Sequence, residues 1–382
     1  MSQPYILYGA PCSLYTGKAR AYLLCQGIGF REIAPGAEHF VNAVVPAVHR
    51  WRIPVMERPE GGYIQDSTMI IAHFENQPEI AATLPDTPGQ RIAALLMDLI
   101  GAEGLLRPAM HYRWNFDEEN EAFLLQNFRT LVPGGSEEMT REAMESMRQA
   151  AVSFGVLLGT VPVVEAVYEE LLDLMNAHFA RYPYLLGGRP CIGDFGMIAP
   201  FYAHLARDPY PADLMKKRAP WVFRWTERMN RPDSDMGEFR DFSPAFLEDD
   251  AIPETLKAVL RFISRTDLVA ETEAAGACIN QWLAENRPAP GERAKRGVGF
   301  AEFDIRGVPV KALAQPYRFF LLQRVQSAYA ALDKAGQAAA RKLLEEVDAA
   351  PLLSLSLDRE ITRQDNLEVW GENHKGLEKE RQ

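Results

Sequence analysis

The chain is poor in the residues that build covalent or metal-held frameworks. Its 382 residues include four cysteines, at 12, 25, 191 and 278, with no Cys-x-x-Cys pair. That scatter argues against a disulfide scaffold and against a dithiol redox motif. The seven histidines show no metal-ligand spacing, so no metal is expected. No run of about 18 apolar residues occurs, so no membrane span is expected. The first thirty residues lack both a basic stretch and a small-residue cleavage site, so no secretory signal is expected either, and the expected compartment is the cytoplasm. Positive charge is in deficit: 41 lysines and arginines against 52 aspartates and glutamates leave a net charge of −11, which argues against a nucleic-acid partner. Internal repeats and low-complexity tracts are absent from the sequence.

What is present suits a folded protein of two or three domains, with 47% hydrophobic and 24% charged residues. Tyr5-Ile6-Leu7-Tyr8 reads as a short buried strand and Gly9-Ala10-Pro11 as a turn. Ser13 to Gln26 is helical, with Leu14, Ala21 and Leu24 near one stripe and Gly27 at its end. Phe30 to Ile33 is a second strand. Pro54 to Glu57 and Tyr63 to Gln65 are two more, joined through Pro59-Glu60-Gly61-Gly62, and Ser67 to Phe74 is a helix capped by Asp66 or Ser67. Proline cannot donate to a sheet ladder, so Pro54 belongs at an edge or a special turn. A cis Ile53–Pro54 bond leaves the Ile53 N–H and C=O facing outward to pair with an extended peptide; a trans proline opening an ordinary strand is the other reading. The order strand, helix, strand, proline, hairpin, helix is that of a thioredoxin-like domain.

On four segments the chain resembles the glutathione transferase superfamily: Ser13-Leu14-Tyr15-Thr16-Gly17-Lys18-Ala19-Arg20, Arg52-Ile53-Pro54-Val55, Gln65-Asp66-Ser67-Thr68, and Tyr184 to Gly196. Together they span residues 1 to about 230. The resemblance implies glutathione as co-substrate, without a metal. Its γ-glutamyl end is held by Asp66 and Ser67 at a helix N-terminus, its cysteinyl backbone pairs with Ile53 beside Pro54, and its glycyl carboxylate lies near Arg52. Free N–H groups and the positive end of a helix suit the γ-glutamyl carboxylate. Without that context, Asp66-Ser67 is a plain N-cap and Arg52 a solvated surface arginine. The resemblance also implies a homodimer, a small hydrophobic electrophile as second substrate, and a role in detoxification.

Two alignments of the first loop compete for the catalytic position. A Ser or Cys seven residues before Arg20 selects Ser13, as does the spacing to Gly27; the Ala-Cys-Ser-Leu string of a bacterial class selects Cys12. A serine hydroxyl donates a hydrogen bond to the glutathione thiolate. A cysteine with lowered pKa attacks by itself and forms a mixed disulfide. A hydrogen bond to a charged acceptor contributes about 1.5–3 kcal/mol and a helix terminus about 0.3–2 kcal/mol, so a thiol pKa shift of roughly two units is within reach of a hydroxyl. Structural readings stand beside both: Ser13 as a helix cap, and Cys12, like the other three cysteines, as a small buried hydrophobe.

The expected organisation is a thioredoxin-like domain over 1–80, an all-helical transferase-type domain over 86–231, and a mostly helical extension over 232–382 with a hairpin near 298–312. Helices are expected from Gln90 to Leu106, over 115–131, 137–158 and 162–181, from Ile192 to Ala206 and around Pro220 to Trp225. In the extension they are expected from Glu254 to Ile263, from Glu271 to Glu285, and from Tyr317 to Val347 with a break at Gly336, ahead of a frayed end from about 371. In relatives the first long helix of the second domain walls the electrophile pocket, which makes Arg107, Met110, His111, Tyr112 and Trp114 candidates; core packing is their other reading. Cys191 stands where relatives place a Ser or Thr cap, so a reciprocal bond to Asp194 is not expected. The extension reads equally as a lid, an oligomer interface or a protein-binding surface. Three functions remain open: a transferase acting on a hydrophobic electrophile, a transferase-like binding or scaffold protein without catalysis, and a Cys12-based thiol transferase or reductase.

Overall fold

In a computed structural model that describes residues 4–232 and 235–373, the chain begins with a four-stranded sheet. Its strands are β1 (Tyr5–Tyr8), β2 (Phe30–Ile33), β3 (Val55–Glu57) and β4 (Tyr63–Gln65), in the order β2-β1-β3-β4. β1 and β2 are parallel and therefore need a crossover, which α1 (Leu14–Cys25) supplies; β3 and β4 run antiparallel. Alternation sets the two faces. Tyr8 and Val55 pack with Phe40, Val44 and Val48, the last in the short helix α2 (Val45–Val48), on one side, while Leu7 and Met56 join Tyr22, Ile70 and Phe74 on the other. α3 (Ser67–Glu75) closes this unit, and the Ile53–Pro54 bond ahead of β3 is cis. This is a thioredoxin-like fold.

Helices dominate from there: α4 (Pro88–Leu99), α5 (Leu106–Trp114), α6 (Asp117–Arg129), α7 (Glu137–Ser153), α8 (Val161–Phe179), α9 (Ile192–Pro200), α10 (Pro209–Arg218) and α11 (Pro220–Arg228). A single helix was expected from Gln90 to Leu106. Instead the backbone widens into a π turn over Ile100–Gly104 and restarts at Leu106. The neighbouring helix explains why glycine stands in that turn: a Cβ on Gly101 would lie 2.2 Å from the Gly196 carbonyl of α9. The two backbones can approach only because both residues lack side chains. Asp194 at the head of α9 accepts from the Cys191 and Leu185 N–H groups and from the Trp225 indole. Contrary to expectation, Cys191 and Asp194 form a reciprocal capping box.

The carboxy-terminal third contributes α12 (Glu254–Ile263), α13 (Val269–Asn286), the expected hairpin β5 (Phe300–Ile305) and β6 (Val308–Leu313), then α14 (Pro316–Ala330) and α15 (Lys334–Glu346). The break between the last two falls near Asp333, not at Gly336. Asp333 caps α15 by accepting the Gly336 N–H, so the glycine sits inside the first turn. A second hairpin, β7 (Arg359–Gln364) and β8 (Leu367–Asn373), was not foreseen. β8 includes residues 371–373, and the remainder of the expected frayed end lies outside the described residues. Core packing runs through all three parts, since Tyr22 of α1, Leu96 of α4, Phe195 of α9, Phe319 of α14 and Leu343 of α15 belong to one apolar cluster.

Gly101→Ala is expected to destabilise the protein by about 1–3 kcal/mol through overpacking against α9. Gly159→Ala, where no atom lies within 4 Å of the added carbon, should change stability by less than about 0.5 kcal/mol. Urea denaturation of both variants checks the pair; equal midpoints would show that the close approach at Gly101 relaxes without cost.

Candidate functional site

The start of α1 organises the site. Ser13 is its N-cap, with Oγ accepting the Thr16 N–H at 3.3 Å. One lone pair is thereby used, while the hydroxyl proton stays available for donation. Cys12, one residue earlier, is buried, and its carbonyl accepts from Arg113 Nη1 at 2.9 Å. Burial pushes its thiol above the ordinary range, although Arg113 and Arg207 pull the other way. A thiol in that state is a poor nucleophile at neutral pH.

Two cavities of different character meet at the start of α1, where Tyr15 borders both. The apolar one, about 260 Å³, has Leu14, Leu106, Met110, Trp114, Phe128 and Phe154 in its wall, together with Cys12 and Ser13. The polar one, about 320 Å³, is bounded by Gln65, Asp66, Glu103, Gln315, Tyr317 and Glu368 among others. Tyr15, Trp51, Arg52, Ile53, Met147 and Arg296 belong to both walls. Arg52 thus stands at the junction, its guanidinium pKa lowered by burial and by the neighbouring charges of Arg296 and Arg50.

The other anticipated residues are placed as follows. The Pro54 carbonyl accepts the Asp66 N–H, and no hydrogen bond of the described residues uses the Ile53 N–H or C=O. Asp66 Oδ1 caps α3 by accepting from Thr68 and Met69, and Oδ2 accepts from the Tyr317 hydroxyl at 2.9 Å. Ser67 is buried and its hydroxyl has no partner. On α5, Met110 and Trp114 face the apolar cavity, but Arg107, His111 and Tyr112 do not. Arg107 is paired with Asp267 and Glu271, His111 Nε2 lies 3.0 Å from Glu165 Oε1, and Tyr112 stacks on Phe116. Helical phase turns 112 away from the face of 106, 110 and 114 and puts 111 at its margin; Arg107 shares the phase of Trp114 two turns on, and its pairing with Asp267 and Glu271 is what keeps it out of the cavity wall.

Several wall residues carried no sequence signal as site residues. The Tyr15 hydroxyl donates to the Ala102 carbonyl at 3.2 Å and to Glu103 Oε1 at 3.3 Å, and Glu103 Oε2 accepts from Gln315 at 3.0 Å. Burial pushes the Glu103 carboxyl up to about 7 against the pull of Arg318 and Arg296. The turn between β7 and β8 also reaches the site: Asn366 Oδ1 accepts the Gln65 N–H at 3.0 Å, and its carbonyl accepts from Arg50 and Arg363. Arg50 pairs with Glu368 at 2.6 Å, so β8 forms part of the polar wall. Among the described residues, no group of three or more His, Cys, Asp or Glu residues could hold a metal ion. No described helix is long and apolar enough to cross a membrane.

Residues 7–82 match the family model of the glutathione S-transferase N-terminal domain. The amino-terminal domain belongs to the glutathione transferase superfamily. Solved structures similar to the chain include a glutathione S-transferase from Xanthobacter autotrophicus, 20% identical, covering 59% of this chain and 91% of that one with a TM-score of 0.34. A glutathione S-transferase from Methylobacterium radiotolerans, solved with glutathione sulfonate, is 19% identical over 66% of this chain and 100% of its own, with a TM-score of 0.36. A glutathione transferase from Phanerochaete chrysosporium is 15% identical over 61% and 98%, with a TM-score of 0.39. No curated protein matches the chain. In this transferase-type domain, the start of α1, the cis-proline turn and the start of α3 all border the paired cavities or abut them.

The raised pKa of Glu103 has a measurable sign. Between its ordinary 4.5 and about 7 the folded chain holds a proton that the unfolded chain has lost, so this group's contribution to stability falls as pH rises through that window and is level above it. Glu103→Gln removes the slope. The variant is expected to gain on the parent by about 1–3 kcal/mol between pH 5 and pH 8 in urea denaturation. An unchanged difference at the two pH values would mean that the carboxyl is ionised throughout.

Proposed function

We propose that the protein is a glutathione transferase that binds glutathione in the polar cavity and directs its thiolate, at Ser13, toward a hydrophobic electrophile in the apolar one. The observation that carries this reading is the meeting of the two cavities at the N-terminus of α1, in a domain of the transferase type. Arg52 takes the glycyl carboxylate, and the unused Ile53 N–H and C=O take the cysteinyl backbone as an added strand. Asp66 and Ser67 take the γ-glutamyl end, a role supported by the unpartnered, buried Ser67 hydroxyl. Met110 and Trp114 contact the electrophile; Arg107, His111 and Tyr112 act only by holding α5 in place.

Ser13 donates its hydroxyl proton to the sulfur. A free thiol of pKa about 8.5 is only a few per cent ionised at neutral pH, and a shift of roughly two units makes most of it anionic. Nucleophilicity falls with a Brønsted slope of about 0.4–0.5, so roughly six- to tenfold is lost against a gain of about 25-fold in thiolate. Positioning the electrophile contributes most of the remaining acceleration. In the reaction the sulfur's electron pair forms the new bond to carbon, the leaving group departs with the pair of the broken bond, and the thiol proton passes to solvent. The buried, poorly ionised thiol of Cys12 speaks for Ser13 over a thiol transferase mechanism.

Roles divide along the chain as 1–80 for glutathione, 86–231 for the electrophile, and 232–382 for covering both. The same reading carries a cytoplasmic homodimer with a detoxifying activity. A non-catalytic binding protein is the second reading, favoured by one observation: both oxygens of Asp66 already accept hydrogen bonds within the protein.

Ser13→Ala is expected to lower kcat by about 10- to 100-fold, the loss of one hydrogen bond to a charged sulfur, while the glutathione Kd from calorimetry changes less than about threefold. Cys12→Ala should retain most of the turnover. A parent protein that fails to bind glutathione would remove the transferase reading and leave the binding protein.

A further inference from the structure

The apolar cavity is charged in one sense. Its wall includes Arg52, Arg113 and Arg296 and no aspartate or glutamate. Arg113 is satisfied, with Nε and Nη2 on the two oxygens of Asp208 at 2.7 and 3.0 Å and further bonds to the Cys12 and Ala203 carbonyls. Arg52 and Arg296 have neither an ion pair nor a hydrogen bond among the described residues. Glu368 acts on Arg52 and Arg296 on Glu103 across the polar cavity, but neither carboxylate is within ion-pair distance of these two guanidiniums, an unusual arrangement in a chain with a net charge of −11. Like charges held side by side raise each other's energy, and a bound anion relieves the cost.

The two arginines differ in position. Arg52 follows the turn that presents Ile53 and serves the tripeptide in the reading above. Arg296 comes from the loop between α13 and β5, and its guanidinium lies over the Phe154 ring at 5.7 Å from the centroid. Phe154 walls the apolar cavity and does not border the polar one. Stacking on a ring occupies the face of a guanidinium and leaves its N–H edges free to bind a planar oxyanion. Both sides of the loop are pinned: the Ala294 N–H donates to the Glu368 carbonyl at 2.8 Å and the Val298 N–H to the Ala314 carbonyl at 3.1 Å. Arg296 is thereby held at the cavity by β8 on one side and the end of β6 on the other.

Resting on the transferase reading, we infer that Arg296 selects electrophiles that carry an acidic group: a flat apolar body between Leu14, Met110, Trp114 and Phe128, with a carboxylate on the Arg296 guanidinium. The substrate class is an aromatic acid bearing a leaving group on its ring. The tripeptide's glycyl carboxylate pairs with Arg52 and the electrophile's carboxylate with Arg296, so the two substrates together give both guanidiniums a direct ion-pair partner. During transfer the sulfur bonds to the ring carbon, the halide leaves with the carbon–halogen electron pair, the thiol proton goes to water, and the carboxylate is unchanged.

The test compares a chlorodinitrobenzoate with its methyl ester, substrates alike in reactivity class and different in charge. The parent protein is expected to favour the acid in kcat/KM by about tenfold or more. Arg296→Gln should lower kcat/KM for the acid by about 10- to 100-fold and for the ester by less than about threefold, with the KM for glutathione unmoved and partial recovery in Arg296→Lys. Calorimetry with unreactive dinitrobenzoate and its ester, in the absence of glutathione, gives a readout independent of turnover. Preferential binding of the acid that is lost in Arg296→Gln supports the inference even where no transfer occurs, an outcome that would overturn the transferase reading alone. Equal binding of acid and ester by the parent protein overturns the inference, as does a variant whose loss appears as a raised KM for glutathione.

Discussion

A buried lattice of charges fixes where the walls of the two cavities stand. Arg107 of α5 pairs with Asp267 at 2.8 Å and with Glu271 at 3.1 Å, and Glu271 pairs in turn with Arg318 of α14 at 3.0 Å. All four residues are buried. Burial works against a charge on Glu271, yet Arg318 and Arg107 together hold its carboxyl below the ordinary range. Such pairs add little net stability, but loss of one member leaves a buried charge uncompensated at about 3–5 kcal/mol. The lattice is therefore a device of position. It sets α5, which also carries Met110 and Trp114, against α13 and α14, which lead to Gln315 and Tyr317.

The same lattice reaches the polar cavity. Arg318 also donates to the Glu103 carbonyl at 3.1 Å, while the Glu103 carboxyl joins Tyr15 of α1 to Gln315 at the head of α14. Glu103 lies in the π turn that glycine permits between α4 and α5, so the close approach of Gly101 to Gly196 also sets a cavity-wall carboxyl. From the far end of the chain, the β7–β8 turn docks on Gln65 and brings Glu368 to Arg50. The paired cavities are thus assembled from residues more than 300 positions apart. A domain of this type without the carboxy-terminal third would lack nearly half of the polar wall seen here.

Legibility in the sequence followed the range of the interactions concerned. Strand alternation in Tyr5–Tyr8, the caps Ser13 and Asp66, and the proline turn are local patterns, and each stands in the structure as an element or a cap. The second hairpin was also local but easily passed over: its two-residue turn, Asp365-Asn366, has both φ angles positive, as a tight hairpin requires, yet it lacks the glycine that marks the turn at Arg306-Gly307. Arg107, His111 and Tyr112 are eligible by sequence because they share a helix with Met110. Arg107 is kept out of the cavity by Asp267 and Glu271, more than 150 residues away. Arg296 and Tyr317 were beyond reach for the same reason, since nothing near them in the chain indicates that they border Arg52 and Asp66.

The choice between Ser13 and Cys12 shows how the fold discriminates where residue type does not. Both residues precede α1, and the positive end of a helix favours an anion at either one. Position relative to solvent separates them. Cys12 turns its carbonyl to Arg113 and lies buried in the wall of the apolar cavity, where desolvation outweighs the two nearby guanidiniums and keeps the thiol protonated. Ser13 stands one residue further on, half-buried in the cavity wall, with one lone pair tied to Thr16 and its proton free. A thiol in that second position would gain most from the helix end, whereas a hydroxyl there does not ionise at neutral pH and acts on a sulfur only by donating a hydrogen bond. Under the proposed reading the sulfur that ionises must therefore arrive with the ligand, and the protein's part is to supply the donor, the helix end and a cavity in which the resulting anion meets its electrophile.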